Sequence, residues 1–299
     1  MHDKKLNILV TGGNGQLGRC LRDACKSSPN RFIFTDISDI PGLETIRLDV
    51  TNKDAVDIVA DSENVDVIVN CAGYTNVDKA EDETYMADLL NRQAAANLAA
   101  TAKRRGALLI HISTDYIFGG ESSTPVTEDA EASPLGVYGA TKYAGERAVL
   151  GSACRSIILR TAWLYSKYGR NFVKTMLSIT GSHPSVRVVN DQTGTPTYAP
   201  NLAAFIVDII DNGKLDHTGI YNFTDEGVCS WYDFACEINA LAGHDCQVTP
   251  CKTSEFPSRA VRPHYSVLDK SLVKSIFGVA IPHWTTPLRK CIEELKNEN

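Results

Sequence analysis

The chain has 299 residues, with 30 lysines and arginines against 36 aspartates and glutamates, so its formal charge at pH 7 is −6. Hydrophobic residues make up 43% of the sequence, a share that is typical of globular proteins and excludes the disordered and fibrous classes. A net negative charge gives no basic surface for a polyanion, so we expect no nucleic-acid partner.

Nine cysteines are spread from Cys20 to Cys291 without a C-x-x-C pair, which favours free thiols over a disulfide or zinc framework. The first apolar stretch, residues 6–10, is interrupted by Asn7 and is shorter than the roughly 7–15 apolar residues of a signal-peptide core. No apolar run approaches the roughly 18 residues of a membrane span. We therefore expect a cytoplasmic protein with no membrane association.

Strands and helices alternate along the first half of the sequence. Apolar runs predict strands at residues 6–11, 31–36, 45–48, 65–71 and 107–113, separated by helical patterns at about 17–25, 54–60 and 84–105. Such alternation produces right-handed crossovers and a parallel sheet that is covered on both faces. The predicted fold class is α/β, a Rossmann-type, doubly wound parallel sheet.

The pattern loosens in the second half. It predicts a helix that ends near residue 150, strands at 156–160 and 186–189, a loop at 190–200 and a helix at about 201–211. We predict a dinucleotide-binding domain at residues 1–160 and mainly a smaller C-terminal substrate lobe at residues 161–299. Chains of this class weave between lobes, so we expect some later segments to return to the first domain.

A glycine-rich turn follows the first predicted strand. Gly12, Gly13, Gly15 and Gly18 fit G-x-G-x-x-G counted from Gly13 and G-x-x-G-x-x-G counted from Gly12. The turn lies between a strand and a helix, and Asp36 ends the next strand 18 residues after Gly18. These conditions define the dinucleotide-binding fingerprint, in which a helix N-terminus stabilises the pyrophosphate.

The identity of the dinucleotide depends on the residues near the second strand. Asp36 is placed to accept hydrogen bonds from the adenosine ribose, which favours NAD, whereas NADP needs a nearby cation. Arg31 and Arg47 are the nearest arginines in sequence, and neither directly follows the strand. The alternative for Asp36 is an exposed carboxylate without a ligand. Asp49 and Val50, after the third strand, are predicted to face the adenine.

Tyr138 and Lys142 are four residues apart, a spacing that places both side chains on one face of a helix. They follow a strand that ends in Ser113 and Thr114, where open α/β folds bind ligands. Hydride transfer to a ketone creates an alkoxide that needs a proton. We expect Tyr138 to supply it, with its pKa lowered by the Lys142 ammonium, while a strand-end hydroxyl stabilises the charge. The alternative is a surface Tyr–Lys pair.

The glycine turn and residues 70–73, 113–116 and 138–142 resemble the extended short-chain dehydrogenase/reductases. Other segments are similar to the members of this family that complete dTDP-L-rhamnose synthesis: residues 74–81, 160–163, 169–172, 191–197 and 262–269. The resemblance implies that Thr114, Tyr138 and Lys142 are catalytic.

Two binding sites are predicted, a cofactor site built on the glycine turn and the strand ends, and a substrate site that the resemblance implies. NADPH or NADH would be bound by Gly12, Gly15, Gln16, Leu17, Gly18, Asp36, Asp49, Val50, Cys71, Ala72, Gly73, Tyr138 and Lys142. The nucleotide-sugar substrate would be bound by Thr75, Val77, Asp115, Tyr116 and Trp163. We add Arg262, whose planar guanidinium can bind two pyrophosphate oxygens, or form a surface ion pair instead. Trp163 can stack on a sugar or base, or fill the core.

The reaction implied by the resemblance is reduction of the 4-keto group of dTDP-4-dehydro-6-deoxy-L-mannose to dTDP-L-rhamnose. The alternatives are another nucleotide-sugar 4-ketoreductase, an epimerase and a non-catalytic NADP-binding regulatory subunit. A dehydratase is disfavoured because Asp115 is followed by Tyr116 and not by a second carboxylate.

Some family members form dimers around Mg²⁺ held by glutamates, but the positions of those glutamates are occupied here by Arg19-Cys20 and residues 198–200. We predict no metal and a monomer or weak homodimer.

Overall fold

The computed structural model describes residues 4–297. Its first half alternates strands and helices in the predicted order. The strands are β1 (Asn7–Thr11), β2 (Arg31–Asp36), β3 (Ile46–Arg47), β4 (Val67–Asn70), β5 (Leu108–Thr114) and β6 (Arg155–Thr161). The helices are α1 (Gln16–Ala24), α2 (Lys53–Ser62), α3 (Val77–Ala80), α4 (Thr84–Asp88), α5 (Ala94–Arg105) and α6 (Val137–Gly151).

The second half contains shorter strands between its helices. The strands are β7 (Leu164–Tyr165), β8 (Ser185–Val189), β9 (Thr193–Gly194), β10 (Thr197–Tyr198), β11 (Gly219–Asn222), β12 (Cys229–Ser230) and β13 (Gln247–Cys251). The helices are α7 (Phe172–Thr180), α8 (Ala199–Asp211), α9 (Trp231–Ala242), α10 (Ser271–Phe277) and α11 (Thr285–Asn297). Helix α8 begins two residues earlier than predicted because Pro200 fits the first turn of a helix.

Seven strands form one parallel sheet in the order β11-β6-β5-β4-β1-β2-β3. The chain runs outward from β1 to β3, and then starts again at β4 on the other side of β1. Ile8 of β1 accordingly pairs with Phe32 on one side and with Val67 on the other. This reversal is the switch point at which ligands of doubly wound sheets bind, and the predicted fold class is confirmed.

Apolar residues on both faces of the sheet explain why the strand sequences are continuously hydrophobic. Ile8 and Val10 pack on one face with Leu21 and with residues of α8, whereas Leu9 packs on the other with residues of α2 and α5. Successive side chains of a strand point to opposite faces, so a strand that is buried on both sides needs apolar residues throughout.

Later segments return to the central sheet. Strand β11, which the sequence did not predict, pairs in parallel with β6, with Ile220 opposite Ile158. Leu202 and Phe205 of α8 belong to the same core cluster as Leu21 of α1. A separate cluster around Phe234 unites α7, α9 and α11 beside the β8–β13 pair. The boundary at residue 160 stays a prediction.

The predicted helix at 84–105 is interrupted. Between α4 and α5 the chain makes a π-helical turn at Leu89–Gln93, a feature that often marks functional sites in helices. Helix α3, which was not predicted, is capped by the Asn76 side chain, which accepts from the Lys79 N–H at 3.1 Å. Across residues 4–297, the helices are too short or too polar to cross a membrane.

Candidate active site

One cavity of about 690 Å³ opens at the carboxyl ends of β1, β4, β5 and β6. Its wall includes all three predicted catalytic residues. It also includes most of the predicted cofactor residues: Gly12, Gly15, Gln16, Leu17, Asp36, Asp49, Val50, Cys71, Ala72, Gly73, Tyr138 and Lys142. Five predicted substrate residues line it: Thr75, Val77, Asp115, Tyr116 and Trp163. The structure therefore brings together all but Gly18 and Arg262.

The glycine turn is shaped by close backbone approaches. Gly12 has a φ of +64°, and a Cβ there would lie 2.7 Å from the backbone nitrogen of Ala72. A Cβ at Gly18 would collide with the Gly12 carbonyl oxygen, so Gly18 allows α1 to pack on the turn and does not line the cavity. Gly15 precedes α1 without a side-chain cap. The free N–H groups of the first helical turn are thus available to an anion.

Asp36 connects the end of β2 to the glycine turn. Its carboxylate accepts from the Ser38 N–H (3.0 Å) and from the Asn14 N–H (3.1 Å). Arg22 of α1, which was not predicted to lie near this site, donates to the Gly13 carbonyl (3.2 Å) and to the Thr45 hydroxyl (2.9 Å). These bonds hold Arg22 within the protein, so it is not a free cation beside Asp36.

The predicted catalytic side chains come from β5 and α6. The Thr114 hydroxyl donates to Asp115 Oδ1 at 3.0 Å and lies close enough to the Tyr138 phenol to affect its pKa. The Lys142 ammonium donates to the carbonyl of Ile112 at 2.5 Å. The Tyr116 ring meets the Tyr138 ring edge-on, with centroids 5.4 Å apart. Strand β5 therefore positions both functional groups of the helix.

The expected effect of Lys142 on Tyr138 is wrong. Burial raises the pKa of Tyr138 to about 12, and the Asp115 carboxylate adds to this, while the neighbouring Thr114 hydroxyl opposes it. The Lys142 charge has no share in this shift. Burial also lowers the pKa of Lys142 to about 8, against the opposing effect of Glu146. The phenol consequently carries its proton at neutral pH, as a proton donor must.

Three buried polar side chains cross the sheet beneath the cavity and were not predicted. The Thr11 hydroxyl donates to Asn70 Oδ1 at 2.7 Å, and Asn70 Nδ2 lies 3.0 Å from His111 Nδ1. Burial lowers the pKa of His111 well below its ordinary value, so the imidazole is neutral and accepts from the amide. The chain of bonds fixes the ends of β1, β4 and β5 relative to one another.

The π-helical turn positions a loop of the cavity wall. The Asn91 side chain accepts from the Tyr74 N–H (2.8 Å) and donates to the Tyr74 carbonyl (3.1 Å). It also donates to the Thr141 hydroxyl at 3.1 Å. Thr75 and Lys142, the neighbours of these two partners, both line the cavity. Asn91 thus connects the loop to the catalytic helix.

Trp163 lines the cavity and also packs against the hydrophobic cluster around Phe234, so both of its predicted roles stay predictions. It stacks on Trp231, with ring centroids 3.5 Å apart. Its φ of +47° is unusual for a bulky residue, and such conformations concentrate at functional sites. Trp231, the first residue of α9, also lines the cavity. Sequence reasoning missed it because its partner is 68 residues away.

Arg262 does not line the cavity. Its guanidinium forms a bidentate ion pair with Asp78, with bonds of 2.6 and 3.2 Å, and this pair lowers the pKa of Asp78 to about 2. The Arg262 guanidinium is also close enough to Tyr116 for each group to affect the pKa of the other, which places it behind the wall. The predicted pyrophosphate contact stays a prediction and requires the Arg262–Asp78 pair to open.

Across residues 4–297 no group of three or more His, Cys, Asp or Glu side chains is arranged to hold a metal ion.

The switch-point cavity, the glycine turn and the Thr-Tyr-Lys group define a Rossmann-type NAD(P)-dependent oxidoreductase. A family model described as the RmlD substrate binding domain matches residues 6–297. The dTDP-4-dehydrorhamnose reductase of Aggregatibacter actinomycetemcomitans is 38% identical over 291 residues, which cover 94% of this chain and 97% of that protein. The chain belongs to the dTDP-4-dehydrorhamnose reductase family.

Solved structures support this assignment. The crystal structure of a dTDP-4-dehydrorhamnose reductase from Clostridium acetobutylicum is 42% identical, with a TM-score of 0.91 over 97% of this chain and 100% of that one. The enzyme from Bacillus anthracis, solved in complex with NADP, is 34% identical, with a TM-score of 0.88 over the same shares of the two chains.

Proposed function

We propose that this enzyme reduces the 4-keto group of dTDP-4-dehydro-6-deoxy-L-mannose with NADPH or NADH, which forms dTDP-L-rhamnose. The observation that carries the proposal is that Thr114, Tyr138 and Lys142 share one cavity with the glycine turn at the switch point. Family membership supplies the substrate class. The cavity volume of about 690 Å³ lies within the usual range of ligand sites.

The residues of the glycine turn fit a dinucleotide. Gly12 lets the turn approach the backbone of Ala72, where a Cβ would collide, and the start of α1 offers uncapped N–H groups to a pyrophosphate. Lys142 is placed to hold the nicotinamide ribose. When bound, the cofactor supplies the hydride that reduces the ketone.

The chain's own residues handle the proton. Tyr138 keeps its proton at neutral pH and donates it to the oxygen that becomes an alkoxide. The Thr114 hydroxyl lies beside the phenol and stabilises the negative charge as it develops. The stacked pair of Trp163 and Trp231 forms an aromatic wall for the substrate. Burial raises the pKa of Asp115 to about 6, which makes it the second candidate for the acid.

Incubation with dTDP-4-dehydro-6-deoxy-L-mannose and NADPH or NADH tests the proposal. We expect one reduced cofactor to be consumed for each dTDP-L-rhamnose formed. An epimerase would convert the sugar without net consumption of cofactor, and a regulatory subunit would give no turnover. Product stereochemistry, followed by NMR, separates rhamnose from talose. Formation of any other sugar would refute the proposed specificity.

We place the enzyme in the cytoplasm, because its nine cysteines are free thiols, as a reducing compartment keeps them. We further propose that it works without a metal ion, as a monomer or weak homodimer.

A further inference from the structure

Arg170 is an exposed cation in the wall of the cavity. Among residues 4–297, two positively charged side chains line this cavity, Lys142 and Arg170. Lys142 is buried and donates to a strand carbonyl. The guanidinium of Arg170, in contrast, makes no hydrogen bond or ion pair with any residue from 4 to 297. No described residue therefore neutralises the positive charge of Arg170 at this site.

The backbone around Arg170 is held against the first residue of α1. Gly169 has a φ of +65°, and a Cβ built on it would lie 3.5 Å from the Cβ of Gln16. On the other side of Arg170, Asn171 Nδ2 donates to Gln16 Oε1 at 2.9 Å. Both neighbours of Arg170 thus meet Gln16, which directly follows the glycine turn.

Further contacts attach the same segment to α1. Gln16 Nε2 donates to the Leu164 carbonyl at 3.1 Å, so both polar atoms of its side chain have partners in the second half of the chain. The Tyr168 hydroxyl donates to Asp23 at 2.6 Å, and the Arg19 guanidinium lies 3.9 Å from the Tyr168 ring centroid. The backbone position of Arg170 is accordingly set before any ligand binds, which reduces the part of the entropy loss that comes from ordering the chain.

We infer that Arg170 binds the pyrophosphate of the dinucleotide, together with the free N–H groups at the start of α1. A pyrophosphate carries two negative charges, and one guanidinium can bind two phosphate oxygens at once. The other charged groups of the wall are Lys142 and three aspartates, at positions 36, 49 and 115. Arg170 is the exposed cation that can offset the pyrophosphate charge. The inference rests on the cofactor site proposed above.

Arg170→Gln and Arg170→Lys test this role by binding and not by turnover. We expect Arg170→Gln to raise the Kd of NADPH and of NADH by the same factor, about 10- to 100-fold for a lost charge-assisted bond, because both share the pyrophosphate. Arg170→Lys should recover part of the affinity. The control is Lys174→Gln, which removes an exposed charge outside the cavity wall and should leave both Kd values unchanged. Cofactor fluorescence measures the Kd, and thermal unfolding checks that each variant is folded.

Three results would overturn the inference. One is an unchanged Kd for both cofactors in Arg170→Gln. Another is a loss confined to NADPH, which would place Arg170 at the ribose phosphate. The third is a loss seen only when dTDP is titrated into the NADP-saturated protein, which would assign Arg170 to the diphosphate of the substrate. Failure of the proposed reduction would leave these measurements unaffected.

Discussion

A buried ion pair behind the catalytic helix gives the sharpest stability prediction. Glu146 follows Lys142 by one turn of α6, and its carboxylate accepts from Arg160 Nε and Nη2 at 3.0 and 2.8 Å. The two side chains are 1% and 4% exposed. Arg160 also donates to the Glu128 carbonyl at 2.8 Å. The perturbation is Arg160→Met, which keeps much of the side-chain volume and removes the charge.

The magnitude follows from this burial. Arg160→Met removes three hydrogen bonds and leaves the Glu146 carboxylate inside the protein without a counter-charge. Removing one partner of a buried pair costs about 3–5 kcal/mol, whereas replacing both partners by apolar residues is often neutral. We therefore expect a loss of about 3–5 kcal/mol in the free energy of unfolding for Arg160→Met. The double variant Arg160→Met/Glu146→Leu should recover most of it.

Urea unfolding is measured for the wild type, for Arg160→Met, for Glu146→Leu and for the double variant. The four free energies of unfolding give the coupling between the two positions. Arg155→Met is the matched control, because Arg155 begins the same strand and forms an ion pair with Asp216 at the surface. The Arg155 side chain is 50% exposed and that of Asp216 is 91% exposed. An exposed pair contributes at most about 1 kcal/mol. Equal losses in Arg160→Met and Arg155→Met, or a double variant less stable than Arg160→Met, would refute the reasoning.

Three further predictions concern the site and its pH dependence. Tyr138→Phe should fold and bind NADPH as the wild type does, while turnover falls by about 10²–10⁴-fold; retention of half the activity, with chemistry rate-limiting, would contradict its role. Lys142→Met should weaken NADPH binding as well as turnover, since we expect the ammonium to hold the ribose. Burial raises the pKa of Asp225 to about 7, so its contribution to stability is present below about pH 4 and is lost as pH rises towards 7. Asp225→Asn should remove that pH-dependent part of the unfolding free energy, and an unchanged pH profile would argue against the shifted pKa.

A further prediction concerns the cofactor. Asp36 lies in the cavity wall, and Arg22 donates to the Gly13 carbonyl and is not free to bind a ribose phosphate. We therefore expect kcat/KM for NADPH and NADH to differ by less than about a hundredfold. The absence of a metal requirement is checked by activity and sedimentation with and without EDTA, and a dimer that dissociates in EDTA would contradict it.

The sequence by itself determined the features that depend on residues close together in the chain. The glycine spacing predicted the turn into α1, since close backbone approach there excludes a Cβ. The four-residue interval between Tyr138 and Lys142 placed both on one helix face, and both line the cavity. Apolar strands that alternate with helices predicted the parallel sheet. These patterns express local sterics and helical periodicity, which a single sequence records.

Only the tertiary structure decided the features that depend on distant residues. Strand β11 is four residues long, and nothing local distinguishes it until β6 offers an unpaired edge. The pairing of Arg262 with Asp78 joins positions 184 residues apart, and the stack of Trp163 on Trp231 joins positions 68 residues apart. The raised pKa of Tyr138 results from burial, so it follows from the packing of the whole cavity wall. Chain folding sets such distances and desolvation, and sequence spacing carries no record of either.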